Sequence, residues 1–260
     1  MQSIIVFDIE TIPDIENGRR LLNLADLSDD EVLQAMQTLR QQTHGSQFPP
    51  LHLHKIIALS LVLRQANHFN VWSLGDIAAP EKEIISRFFS GISKFRPMLV
   101  SWNGGGFDLP VLHYRALLHG ISAPQYWETG DEDQAFRWNN YLNRYHYRHL
   151  DLMDILANYQ NRAFAPLTDI ATMLGFPGKI GMDGSQVLTA YRNGEIAAIR
   201  NYCETDVLNT YLIYLRFQLI RGKYDEKEYN NEIKLVKEFL AKSAKHHLQE
   251  FLEKMQPLEN

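Results

Sequence analysis

Ser3-Ile4-Ile5-Val6-Phe7-Asp8-Ile9-Glu10-Thr11 is the stretch on which the reading of the whole chain turns. A short, β-branched apolar run that ends in acidic residues has the pattern of a buried strand whose carboxyl end opens onto a site. A first strand is therefore expected over Ser3 to Phe7. Strand alternation sends Asp8 and Glu10 to one face and Phe7 and Ile9 to the other. Two carboxylates held that close in a partly buried place cannot both stay ionised cheaply, so either one is protonated or a cation neutralises them. Taken alone, the same D-x-E is equally the solvated end of a strand and decides nothing.

Moving outward, Ser28 with Glu31 makes a capping box ahead of Val32, Leu33, Met36 and Leu39 at helical spacing, a surface helix in an insert near residues 17–45. Ile56 to Leu63 and Phe69 to Leu74 follow as strands joined by a turn at Gln65-Ala66-Asn67. A helix starting at Pro80-Glu81 carries Ile84, Ile85, Phe88, Phe89 and Ile92 on one face, and Pro97 to Trp102 reads as a fourth strand. Beyond lie a helix from Leu109 to His119, a short strand near Tyr147 to Leu150, and a mostly helical second half. Gly175, Pro177, Gly178, Gly181 and Gly184 punctuate that half as a loop. The order is α/β, with three antiparallel strands and then parallel ones. At the end, Ile233, Val236, Leu240, Ala244, Leu248, Phe251 and Met255 mark one amphipathic helix of several turns. Docking on the main domain is its plain reading, with a homodimer or a protein partner as the alternative.

Composition bounds the function classes. The 260 residues are 45% hydrophobic and 22% charged, ordinary for a globular chain with a sizeable core. With 26 Lys+Arg against 31 Asp+Glu the net charge is −5, which argues against electrostatic coating of nucleic acid or membrane but leaves room for a local anion site. The single cysteine, Cys203, excludes an intramolecular disulfide framework and a Cys-rich zinc cluster and points to a reducing compartment, so a cytoplasmic location is expected. The opening residues lack a basic leader, and no apolar run approaches a membrane span.

Two further groups carry chemistry. Ser101-Trp102-Asn103-Gly104-Gly105-Gly106-Phe107-Asp108-Leu109-Pro110 follows a strand and precedes a helix. The glycines permit a tight turn and close approach to a ligand, and Asp108 stands at a helix start, where it is equally a plain cap. No Lys-Ser or Lys-Thr follows, so a P-loop is a poor fit. In Tyr202-Cys203-Glu204-Thr205-Asp206 the tyrosine and the second acid lie one helical turn apart on the same face. Asp151 and Asp154 open a helix and read as capping residues. His52, His54, His246 and His247 have no cysteine nearby in sequence, so zinc is not expected.

Taken together, Asp8-Ile9-Glu10, Asn103 through Phe107-Asp108-Leu109-Pro110, and Tyr202 through Asp206 resemble the motifs of the tyrosine-bearing branch of the DEDD 3′-5′ exonucleases. The likeness is to stand-alone enzymes similar to the proofreading domain of family-B DNA polymerases. It spans about residues 3 to 217 and includes the Gly178-Lys179-Ile180-Gly181-Met182-Asp183-Gly184 loop. It implies a ribonuclease H-like domain over 1–218, with 219–260 as a helical extension. It also implies hydrolysis of single-stranded nucleic acid from its 3′ end by two Mg²⁺ or Mn²⁺ ions. Asp8 would bridge both ions, Glu10 and Asp206 would complete one site, Asp108 would anchor the other, and Tyr202 would orient the nucleophile. Thr11, Asn103, Phe107 and Lys179 are the expected substrate contacts. Two alternatives remain open: a non-catalytic nucleic-acid-binding module of this fold, and a phosphoesterase acting on short oligonucleotides.

Overall fold

The computed structural model describes residues 3–66 and 68–255. The chain opens with β1 (Ile4–Pro13), α1 (Ile15–Leu21) and α2 (Asp29–His44), then the hairpin of β2 (His54–Gln65) and β3 (His68–Ser73). Next come α3 (Glu81–Phe95), β4 (Met98–Ser101), α4 (Asp108–His119), α5 (Pro124–Trp127), β5 (His149–Asp151) and α6 (Leu152–Leu156). It closes with α7 (Leu167–Met173), α8 (Val187–Arg192), α9 (Ile196–Ile220), α10 (Glu226–Lys242) and α11 (His246–Lys254). The five strands form one sheet in the order β3-β2-β1-β4-β5. β1–β2 and β2–β3 are antiparallel, and β1–β4 and β4–β5 are parallel. This is the mixed sheet of a ribonuclease H-like fold.

Alternation along β1 divides the core. Ile4 and Val6 pack with α9, α10 and α11 on one side. Ile5, Phe7 and Ile9 pack with α3 and α4 on the other. Since side chains alternate, Asp8 and Glu10 share the face of Ile4 and Val6 and meet α9.

Several expectations need correction. β1 does not stop at Phe7 but runs to Pro13, because β2 pairs with it along that whole length, with a register shift between Glu10 and Thr11. The turn expected at 65–67 puts Ala66 in the left-handed region at φ 46°, while Asn67 lies outside the described residues. The terminal helix is two helices. The break falls at Ser243, whose extended backbone ends α10, and Ala244 is exposed rather than part of the apolar face. The apolar residues on either side, Ile233, Val236, Leu240, Leu248 and Phe251, are nonetheless buried in the same cluster as Val207, Leu208 and Tyr211 of α9.

A buried ion pair fastens this segment to the sheet. Arg64 on β2 donates through Nε and Nη2 to both carboxylate oxygens of Glu232 on α10, at 2.8 and 2.6 Å. Tyr211 of α9 donates its hydroxyl to the same group at 3.0 Å. Glu232→Ala would leave the guanidinium buried and uncompensated, which costs about 3–5 kcal/mol. Urea unfolding of E232A should register that loss, and exposed Lys234→Ala, which removes a surface pair, should not.

Candidate active site

β1 and β4 stay together only from Ile4↔Met98 to Val6↔Val100. Past that point β1 continues with β2 alone, and the gap is filled by the loop from Trp102 to Phe107. The backbone N–H of Ile9, left without a strand partner there, donates to Asp108 Oδ1 at 3.1 Å. Asp108 is therefore not a plain cap. It is the first residue of α4, its carboxylate accepts from β1, and it is buried at 3% exposure.

The glycine loop works differently from expectation. The left-handed residue is Asn103 at φ 62°, and none of Gly104, Gly105 and Gly106 has a positive φ. Crowding explains the glycines instead: a Cβ on Gly104 would lie 2.2 Å from Ser101 Oγ, and one on Gly106 2.4 Å from Asn103 Oδ1. Asp151 holds the loop, accepting from Asn103 N at 2.9 Å and Gly105 N at 2.8 Å while also capping α6. Capping was legible in the sequence, but the grip on a loop 46 residues away was not.

From the other side, α9 lays Tyr202, Cys203 and Asp206 against β1. Asp8, Glu10 and Cys203 present ligand atoms within 4.8 Å of one another. The Cys203 thiol donates to the Asp8 carbonyl at 3.4 Å and lies 3.5 Å from its Oδ2. Burial and the neighbouring carboxylates push this thiol well above its ordinary range, so it stays protonated. The carboxyls of Asp8 and Glu10 are likewise raised far above the usual range, first by burial and then by the charges of Asp108 and Asp206 and, at Asp8, of Glu10. Burial raises Asp108 and Asp206 to about 7, with Lys179 pulling Asp206 the other way. The Tyr202 hydroxyl is pushed up by burial and by Asp206, Glu10 and Asp8, so it remains a hydrogen-bond donor at neutral pH.

The structure thus brings the four acids and Tyr202 into one cluster. The remaining candidates surround it. His54 Nε2 meets the Pro49 carbonyl at 3.1 Å and so carries the ring proton. Its Nδ1 is then an acceptor, and Thr11 donates its hydroxyl there at 2.8 Å. The Phe107 ring stands edge-on to His54, 5.1 Å between centroids. Asn103 faces the cleft that also holds Asp8 and Asp206. Lys179 pairs with Asp183 at 3.2 Å in a loop clamped by Asn209, which accepts from Gly178 N at 3.1 Å and donates to Gly178 O at 2.7 Å. Asn209 lies one turn beyond Asp206 on α9, so the glycine loop is registered to the acid cluster. That is a role the sequence left unexplained.

All four carboxylates are hard oxygen donors of the kind that suit Mg²⁺ or Mn²⁺, and their mutual repulsion is what a divalent cation would relieve. Among the described residues, no helix is long and apolar enough to cross a membrane.

A family described as predicted 3′-5′ exonucleases related to the exonuclease domain of PolB matches residues 46–255. The match begins after β1, so Asp8 and Glu10 precede it. The DNA polymerase epsilon catalytic subunit of Emericella nidulans is 27% identical over 142 residues, which cover 53% of this chain and 6% of the polymerase. That of Aspergillus fumigatus matches to the same extent.

Two outcomes follow from the packing and the charge. Gly104→Ala should lower stability by about 1–3 kcal/mol, as overpacking does, seen as a drop in melting temperature. Because Asp108 and Asp206 bind protons in the folded state up to about pH 7 and in the unfolded state only near pH 4, they favour the fold at low pH. In EDTA that contribution should be lost as pH rises from about 4 to about 7, and Asp206→Asn should flatten the melting-temperature profile across this window.

Proposed function

Since this chain belongs to the family of predicted 3′-5′ exonucleases related to the exonuclease domain of PolB, we propose that it releases nucleoside monophosphates from the 3′ end of single-stranded nucleic acid. We take DNA to be preferred over RNA, in keeping with relatives that are named as DNA polymerases. Membership makes the chain a phosphodiester hydrolase. The finer reading is supported above all by the convergence of Asp8, Glu10, Asp108 and Asp206, whose carboxyls are raised by burial and, for Asp8 and Glu10, by the charges of Asp108 and Asp206.

A polyanion meeting four carboxylates is repelled. Asp8, Glu10, Asp108 and Asp206 would hold two Mg²⁺ or Mn²⁺ ions, which supply neutralisation, a lowered pKa for the attacking water and support for the leaving oxygen. The chain's own groups do the rest. Tyr202, kept protonated by burial and the adjacent acids, donates a hydrogen bond and so orients the nucleophile without removing its proton. Thr11 donates its proton to His54 and keeps lone pairs free, which suits it to accept from a terminal 3′-hydroxyl. Phe107 offers its ring to the terminal base, Asn103 its amide to the nucleotide, and Lys179 its ammonium to a phosphate oxygen.

Incubation with 3′- and 5′-labelled single-stranded and duplex DNA and RNA tests the proposal. Mononucleotides should appear from the 3′ end with Mg²⁺ or Mn²⁺, with none in EDTA. Asp206→Asn should fall below about one hundredth of the wild-type rate, since even residues that only support a ligand cost 10–100-fold. Tyr202→Phe should lose roughly 10²-fold in rate while keeping the melting-temperature gain from Mn²⁺, because positioning is lost and the acids are not. Full activity of either variant would overturn the assignment.

A further inference from the structure

The cleft that contains Asp8 and Asp206 extends well past them, to about 930 Å³, between the glycine loop and the segment 161–167. That is near the upper end for a small-molecule site. Thr11, His54 and Phe107 do not line it. They cluster with Phe48 elsewhere around the acids, the Phe48 and Phe107 rings 5.8 Å apart. If the terminal nucleotide occupies the Thr11 and Phe107 side, the open cleft is left for the rest of the strand.

Arg144 lines this cleft and stands beside two aromatic rings, with which it also lines a small adjoining pocket. Its guanidinium carbon is 5.8 Å from the Tyr145 ring and 5.3 Å from the Tyr159 ring, and the two rings stand edge-on at 4.8 Å. Tyr145 is 63% exposed. Arg144 bonds both oxygens of Asp154, at 2.9 and 2.8 Å, through Nη2, so Nε and Nη1 take no part in that pair. Half of the Arg144 side chain faces solvent at 49% exposure. Asn158 and Tyr159 both adopt left-handed backbone, φ 51° and 59°, a conformation uncommon for residues with side chains. Asp154 belongs to α6, the helix capped by the Asp151 that grips the glycine loop. The cation and the catalytic loop are thus anchored to the same short helix. In a chain of net charge −5, one cation beside a pair of aromatic rings next to an acidic cleft has the chemistry of single-strand binding: π-faces for unstacked bases and N–H groups for a phosphate.

We propose that Arg144, Tyr145 and Tyr159 form a subsite for the single strand 5′ of the nucleotide being removed. A base stacks on Tyr145 and a phosphate oxygen accepts from the outward N–H groups of Arg144. Trp102, whose indole N–H is fixed on the Ala165 carbonyl at 3.2 Å, and Phe164 line the way from the acids. The inference rests on the exonuclease reading of the acid cluster.

Fluorescence anisotropy with a thymidylate length series from dinucleotide to dodecamer, in Ca²⁺, reads the subsite directly. Cleavage of thymidine 5′-monophosphate p-nitrophenyl ester in Mn²⁺ reads the acids. Tyr145→Ala and Arg144→Gln should each weaken dodecamer binding about tenfold and dinucleotide binding under about twofold, and Tyr145→Phe should restore the dodecamer affinity. The dodecamer-to-ester ratio of kcat/KM should fall with the binding. Tyr145 is largely exposed, so its variants should melt with the wild type. Dodecamer affinity unchanged in Y145A, or an equal loss at every length, overturns the subsite. A wild type that binds with the expected length dependence but cleaves nothing supports the subsite and sinks the exonuclease reading.

Discussion

Repulsion among four buried carboxylates is the constraint around which this molecule is arranged. Asp8, Glu10, Asp108 and Asp206 come from three different elements, and each raises its pKa on burial because the charged form loses water. Groups that repel stay together only if the elements carrying them are held by something stronger. β1 is the central strand, paired on both sides and buried on both faces. α9 runs across β1 and β2 with most of its length in the core. The fold therefore absorbs the local cost, as is common where chemistry is concentrated.

Asp108 illustrates how the anchoring works. Its helix, α4, is pinned by Arg115, which forms a buried bond to Asp14 just after β1 and pairs with both oxygens of Glu81 at 2.7 and 2.5 Å. Glu81 in turn accepts from the backbone of Ile56 on β2 at 2.7 Å and meets His119 at 2.8 Å. One guanidinium thus ties α4 to α3 and to the end of β1 and, through Glu81, to β2. Glu204 does the same on α9. Two residues before Asp206, it turns away from the site to accept from Ser73 at 2.9 Å and Lys245 at 2.8 Å and to meet His247 at 2.8 Å. The C-terminal segment thereby reaches the helix that presents Tyr202 and Asp206.

Much of the fold was legible because its signals are local. The capping box of α2 closes as Ser28 and Glu31 indicate, and the apolar face of α3 is buried as its spacing implies. The three motifs could be grouped because each is a short run of residue types with its own secondary structure. Where the reading failed, the deciding contact was distant. β1 outran its apolar stretch because β2 supplied partners beyond Phe7. The terminal helix broke at Ser243 although the apolar spacing continued through it, since Ser243 adopts extended backbone there. The glycines at 104–106 were assigned to backbone freedom, whereas Gly104 and Gly106 are required by the lack of space beside Ser101 and Asn103. His247, which no spacing in the sequence pairs with Glu204, meets it from 43 residues away.

By itself, then, the sequence determined which residues could carry charge, which runs would become strands or helices, and that Asp8 and Glu10 would share a face, since periods of 2 and 3.6 are properties of the backbone alone. Tertiary structure alone decided that β4 would part from β1 after Val6, so that Ile9 could donate to Asp108. It also decided that Asp151 would clamp the glycine loop and that Asn209 would register Lys179 beside Asp206. Such bonds join residues tens of positions apart, and no periodicity in a chain records which distant donor will find a given acceptor once both are withdrawn from water.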